Sequence, residues 1–326
     1  MANSSYLEDK DSQLPALRLL QQLGYTYISP EKALAMRDGL LTRFVLTDIL
    51  EKQLSKINRI EYKGEILPFP ESAIGKAIYD LQQQLDEGLV KTNEKVYDLL
   101  TLGKSYEQVV KGDKKSFPFK YIDWEHPENN VYHVTDEFEI KGKAQIRRVD
   151  IVLFVNGIPF VAIENKRRDK KNALDEAISQ HLRNQNKDEV PGFFHFTQLL
   201  IASSVNELSY GATDTQKKFW SVWREEEKIE KKVAELVSKP DSNTEWINRL
   251  REHYYEKPLL KEKKWKPTKQ DLNLYSLCRP ERLLELTRNF TVFDNNTRKI
   301  ARYQQYFGVK RMMNRVRQTD EEGIRK

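Results

Sequence analysis

The stretch Arg147–Lys171, RRVDIVLFVNGIPFVAIENKRRDKK, decides how this chain is read. Two apolar runs, Val149 to Val155 and Ile158 to Ile163, flank Asn156-Gly157, a strong short-range signal for a β-hairpin. Runs of this length read as central strands, where an unpaired charge is costly. Yet Asp150 sits inside the start of the first run, and Glu164 and Lys166 close the second.

Side chains alternate faces along a strand, so Glu164 and Lys166 share a face. Asp150 joins them only if the hairpin keeps even parity between positions 150 and 164. A two-residue Asn-Gly loop would pair Asp150 with Ile163 and send Glu164 to the other face. The expectation is therefore a three-residue loop with Gly157 in the left-handed position of a bulge; a bulge near Glu164 would serve equally well.

Two carboxylates converging from adjacent strands offer hard oxygen ligands, and Mg²⁺ typically takes one or two of these with water and substrate phosphate oxygens. Such a cation polarises a phosphate and activates water, and an ammonium such as that of Lys166 orients water and offsets developing charge. The chemistry this points to is phosphodiester hydrolysis.

These residues resemble the PD-(D/E)xK nuclease superfamily and, within it, the nuclease domain of the restriction (R) subunit of type I restriction-modification enzymes. The likeness extends over the helix NALDEAISQHLRNQ, the segment FHFTQLLIASSVNELSYGAT, the tryptophans of FWSVW and RYQQYFGVKRMMNRV, covering most of 120 to 326, with a looser match over 1 to 25. The resemblance implies that Asp150 and Glu164 are Mg²⁺ ligands, with Mn²⁺ able to substitute. It makes Lys166 the catalytic lysine and Gln180 the glutamine of the helical motif after the core. The middle residue of the E-x-K motif is Asn165, whose carbonyl can face the metal. The usual proline before the aspartate is Val149, and the tyrosine often found four residues after the glutamine is Asn184, which can donate to the same phosphate but cannot stack on a base. Gln13 stands where many relatives carry Glu on the first helix and can still offer a neutral oxygen; Glu8 is the alternative.

The order of elements predicted is a helix over 12–23, strands in FKYIDW and VYHVTDEFEI, the hairpin, a helix over 173–185 and a buried strand over about 197–202. This gives an α/β fold: a mixed sheet with the αβββαβ nuclease core, a helical insertion at about 42–90 and a mainly helical C-terminal extension. The insertion carries helices at 42–58 and 72–87, and the stretch 93–110 is ambiguous about a turn at Gly103. A solvated helix over 224–238 ends before Pro240. The endonuclease domain then spans 1–240, and 241–326 is read as a linker, including the basic KEKKWKPTK, followed by the start of a helicase-like motor domain.

In that reading Gln305 of RYQQYF contacts the adenine of ATP. No G-x-x-x-x-G-K-[ST] phosphate loop occurs in the 326 residues. ATP is thus expected only in a longer polypeptide of which this chain is a piece.

A hydrophobic fraction of 39% suffices for a core, and 10% aromatic content argues against disorder. The single cysteine, Cys278, excludes an intrachain disulfide. With no long apolar run and no signal peptide, the chain reads as cytoplasmic and without a membrane partner. A net charge of +6 is modest, but Arg147, Arg148, Arg167, Arg168, Lys170 and Lys171 bracket the hairpin, where they would neutralise phosphates of double-stranded DNA. The further partners implied are the methylation and specificity subunits of a restriction-modification complex. Two competing readings are a catalytically silent DNA-binding or docking module and a stand-alone repair nuclease.

Overall fold

The computed structural model describes residues 12–167, 169–259 and 266–318. Glu8, Arg168 and most of the basic KEKKWKPTK stretch lie outside the described residues.

The chain forms helix α1 (Leu14–Gln22), strand β1 (Thr26–Tyr27) and a short helix α2 (Pro30–Ala35) before the insertion. The insertion comprises α3 (Thr47–Ile57), a hairpin β2 (Arg59–Tyr62) and β3 (Glu65–Pro68), α4 (Glu71–Gln82), α5 (Leu89–Leu102), and a second hairpin β4 (Lys104–Val110) and β5 (Asp113–Phe119). Three long strands follow, β6 (Tyr132–Lys141), β7 (Ile146–Val155) and β8 (Ile158–Lys166). Then come α6 (Ala173–Asn184), α7 (Pro191–Phe194), β9 (Leu199–Ser204), β10 (Glu207–Gly211), α8 (Glu230–Val237) and α9 (Thr244–Glu252). The last elements are α10 (Lys269–Cys278), α11 (Pro280–Asn289), the hairpin β11 (Thr291–Asp294) and β12 (Thr297–Ile300), and α12 (Tyr303–Arg317).

The main sheet has the order β1-β6-β7-β8-β9-β10. It is mixed: β1 runs parallel to β6 and β8 parallel to β9, while the remaining neighbours are antiparallel. The α/β class, the mixed sheet and the flanking helices are as the sequence predicts. Two local expectations are corrected and one ambiguity is resolved. The insertion is not purely helical, because two hairpins interrupt it. The ambiguous stretch after 93 resolves into α5 and β4, joined at Gly103, whose φ of 69° and close approach to the Phe119 carbonyl leave no room for a Cβ. The strand expected in FKYIDW stops at Phe119 because the Asn58 amide takes over: it accepts from Lys120 N–H at 2.8 Å and donates to Lys120 C=O at 2.9 Å.

Alternation along the central hairpin divides the core into two layers. Ile151, Leu153, Val155, Val161 and Ile163 pack with Leu17 and Leu20 of α1, while Val152, Phe154 and Ala162 pack with Phe138, Phe193 and Phe194. Each of the Val, Leu, Ile and Phe side chains among them, fully buried, contributes roughly 1.5–3 kcal/mol. The segment after Pro240 packs on the same core: Trp246, Leu250, Leu274 and Leu277 join the α1 layer. Among the described residues no helix is long and apolar enough to cross a membrane.

The turn of the central hairpin corrects the predicted loop. Val155 pairs with Ile158, so the loop has two residues, and Asn156 and Gly157 both have positive φ, 53° and 82°, as a type I′ turn requires. Even parity is restored further on. Phe154 pairs with Pro159 but Leu153 pairs with Val161, which leaves Phe160 as the extra residue of a bulge beside the turn and not near Glu164. Pro159 has no N–H for a regular ladder, and bulges are where a sheet tolerates proline. The register beyond the bulge, Ile151 with Ile163, sets Asp150 opposite Glu164 when continued by one pair.

Candidate active site

Asp150, Glu164 and Lys166 occupy one face of β7 and β8 where the pairing of these two strands ends, and α6 covers that face with Gln180. The hydrogen-bond ladder does not simply stop at Ile151: Asp150 Oδ2 accepts the backbone N–H of Asn165 at 2.7 Å. The carboxylate thus continues the pairing of the two strands and is fixed by it. Lys166 Nζ lies 3.7 Å from the same Asp150 oxygen and donates to the Asn165 carbonyl at 2.9 Å.

Glu164 is fully buried. Gln180 Nε2 donates to its Oε2 at 2.5 Å, whereas its Oε1 has no hydrogen-bond partner among the described residues. Burial pushes Glu164 well above the usual carboxylate range, the Asp150 carboxylate pushes it further, and Lys166 pulls the other way. Two acidic groups this close, one of them buried, need a positive charge between them: a proton shared with Asp150 serves when no cation is there, and a bound cation can take its place. No group of three or more His, Cys, Asp or Glu side chains converges among the described residues. A two-carboxylate set is nonetheless what Mg²⁺ takes when water and phosphate oxygens complete its shell.

Asp150, Lys166 and Gln180 line an open cleft of about 360 Å³ walled also by Gln13, Glu137, Arg147, Arg148, Arg183 and Asn184, and Glu164 is buried behind that wall. Gln13 donates to the Asp150 carbonyl at 3.3 Å. Asn184 is buried with its Nδ2 unpartnered among the described residues, one helical turn beyond Gln180 on the same face of α6. The Asn165 side chain points to the opposite face of the sheet, where its Oδ1 accepts from Gln270 at 2.9 Å and Ser12 at 3.3 Å; its carbonyl accepts from Lys166 Nζ.

The basic rim is more neutralised than its sequence suggests. Arg147 forms a two-pronged pair with Glu189, at 2.6 and 2.8 Å. Arg148 is paired with Glu137, Arg167 with Asp169 and Lys170 with Glu176. Lys171 is exposed. Binding a polyanion through these groups requires exchanging acidic partners for phosphates.

Gln305 is not brought to this cleft. It lies at the start of α12, where its side chain accepts from Arg302 N–H at 2.8 Å, and it lines a separate cleft of about 510 Å³ with Arg302, Lys299, Phe219 and Tyr210. Of the residues around Glu164, sequence reasoning missed Arg183 and Glu137. Arg183 lies three residues after Gln180, so helical spacing alone could have found it. Glu137 faces Asp150 across the sheet from a φ of 49°, rare for a non-glycine residue, and the sequence carries no signal for that.

Fold and cleft together define an α/β domain with a carboxylate–lysine cleft at the end of its buried central hairpin. Comparison with known proteins supplies the family: the model described as type I restriction enzyme R protein N terminus matches residues 5–219, and the chain belongs to that family. It is 27% identical, over 98% of its length, to the type I restriction enzyme HindI endonuclease subunit of Haemophilus influenzae, covering 28% of that protein. Two proteins of Methanocaldococcus jannaschii, provisionally named endonuclease subunits of the type I restriction enzymes MjaVIIIP and MjaIXP, are 30% and 26% identical over 84% and 95% of this chain, which covers 23% and 28% of them. The chain therefore spans about a quarter of the length of these curated relatives.

Proposed function

We propose that this chain is the Mg²⁺-dependent endonuclease domain of a type I restriction enzyme R subunit, with a PD-(D/E)xK site that hydrolyses phosphodiester bonds of double-stranded DNA. The observation that carries the reading is the buried Glu164 carboxyl set against Asp150, its Oε1 without a donor among the described residues, with Lys166 3.7 Å from the same Asp150.

Asp150 and Glu164 would hold the cation, with the Asn165 carbonyl as a third oxygen. The cation, when bound, supplies charge to polarise the scissile phosphate and to acidify water. Asp150 is held in place by the Asn165 N–H, and Glu164 is held through one oxygen by Gln180, which leaves the other for the ligand role. Lys166, tethered to the Asn165 carbonyl and close to Asp150, orients the attacking water and offsets the charge gained at phosphorus. Arg183 and the Asn184 Nδ2, unpartnered among the described residues, hold phosphate oxygens on the α6 side of the cleft. A silent docking module would have no use for a buried carboxyl set against a second one.

In the intact subunit this activity is coupled to ATP-driven translocation on DNA. Gln305 contacts adenine there, and methylation and specificity subunits choose the site. The test is isothermal titration of Mg²⁺ or Mn²⁺ into the chain and its Asp150→Asn variant, with short duplex DNA present to supply phosphate ligands. Binding that disappears in the variant supports the reading, and binding unaffected by the substitution removes it.

A further inference from the structure

A buried chain of hydrogen bonds runs from the segment after Pro240 to the strand that carries Asp150. At its base is Asp136 of β6, fully buried. Arg249 of α9 donates to Asp136 Oδ2 through Nε and an Nη, each at 3.1 Å, and holds it as the carboxylate. Two phenols complete its shell: Tyr27 donates to Oδ1 and Tyr254 to Oδ2, each at 2.6 Å. Tyr254, itself buried, also lies 3.1 Å from Gln13 Nε2.

The proton count fixes the direction of this last bond. An ionised Asp136 can only accept, so the single phenolic proton of Tyr254 goes to it. Toward Gln13, Tyr254 is then an acceptor, and Gln13 must present its NH₂ group. Its two N–H bonds are both used, one on Tyr254 Oη and one on the Asp150 carbonyl. The amide oxygen is the atom left over, on a side chain that walls the cleft with Asp150, Lys166 and Gln180.

We infer that Tyr254 is a positioning residue for this cleft: by accepting from Gln13 it locks the amide so that Gln13 Oε1 faces the cleft as a neutral oxygen ligand for the cation or its water. The inference rests on the metal reading proposed above. It gives the region after Pro240 a part in the site, although Tyr254 touches neither carboxylate of the metal pair.

The experiment is a double-mutant cycle on the full chain, read by Mn²⁺ titration with short duplex DNA, with Asp150→Asn as control. Tyr254→Phe keeps the ring and loses the hydroxyl, which removes both the acceptor for Gln13 and the donor to Asp136; the Gln13→Ala background separates the first loss from the second. It should weaken Mn²⁺ binding about three- to tenfold, the size of one neutral hydrogen bond, in the Gln13 background. In a Gln13→Ala background it should change binding by less than about twofold, because no amide remains to be oriented. The Gln13 side-chain NH₂ protons, both hydrogen-bonded in the parent, should exchange with solvent faster in Tyr254→Phe than in the parent without added metal. Equal weakening in both backgrounds would mean that Tyr254 acts through the fold at large and would overturn the inference. Unchanged binding in Tyr254→Phe, with binding lost in Asp150→Asn, would overturn it and leave the metal reading standing. Full binding in Asp150→Asn would remove both.

Discussion

Replacing Asp150 separates its two jobs, because the structure assigns each to a definable property of the side chain. As an acceptor, Asp150 Oδ2 takes the Asn165 N–H at 2.7 Å, in the place where a strand partner's carbonyl would otherwise stand. As a charge, it repels Glu164, one of the causes that raise that group, and attracts Lys166 at 3.7 Å. Asp150→Asn keeps an acceptor oxygen of nearly the same shape and removes the charge. Asp150→Ala removes both and leaves the Asn165 N–H, on a fully buried residue, without its partner. An orphaned buried donor costs about 1–3 kcal/mol, so the Ala variant should be less stable than the Asn variant by that amount, and its melting temperature lower by roughly 2–8 °C. Both should lose Mn²⁺ binding. The assay pairs calorimetric melting with metal titration on the parent and the two variants. Equal melting temperatures for Asn and Ala would refute the acceptor role, and Mn²⁺ binding retained by the Asn variant would refute the ligand role.

Lys166→Ala should abolish DNA cleavage in a reconstituted complex while leaving Mn²⁺ titration within about threefold of the parent, since an ammonium is not a ligand; cleavage at the parental rate would sink the role given to it. Gly157→Ala should destabilise by more than about 2 kcal/mol, because the residue has φ 82° and an added Cβ would lie 2.6 Å from the Leu46 carbonyl oxygen; an unchanged urea midpoint would contradict this. His181, buried with its Nε2 at 2.9 Å from the Ile201 carbonyl, is pushed by burial down to about 4. Below its ordinary value of about 6.5 the unfolded chain takes up a proton that the folded chain refuses, so stability is lost as pH falls from 6.5 toward 4, by roughly 3 kcal/mol in all. Replacing it, as in His181→Gln, should flatten the dependence of unfolding free energy on pH by about one proton in that window. Glu164 acts with the opposite sign but equally in both proteins, and parallel curves would count against the buried neutral imidazole.

What was legible in the sequence follows chain-local rules, and what was not depends on partners far along the chain. The apolar runs on either side of Asn156-Gly157 specify strands by themselves, and the sharing of a face by Glu164 and Lys166 follows from alternation alone. Whether Asp150 joins them turned on a single residue of register. The sequence does carry a signal for the bulge: Pro159, second in the run Ile158–Ile163, cannot donate to a ladder and so marks where the register slips. By contrast, nothing near Lys120 indicates that the Asn58 amide will end its strand, and nothing near Arg147 indicates that Glu189 will neutralise it. The sign of the rim was readable, whereas its pairing was not.

Gln13 shows why this division matters for chemistry. As a residue type, an amide at the head of α1 offers either an oxygen or an NH₂ group to a neighbouring cleft, and the sequence around it has no means of choosing between them. The choice is made at Tyr254, whose proton is already committed to Asp136, which Arg249 in turn holds as the anion. Three residues from two distant regions thereby decide which atom of a fourth faces the carboxylates. Removing any one of them should alter metal affinity through Gln13 without touching Asp150 or Glu164. Of the three, Tyr254→Phe is the cleanest to make, because it deletes one oxygen atom and leaves the ion pair of Arg249 with Asp136 in place.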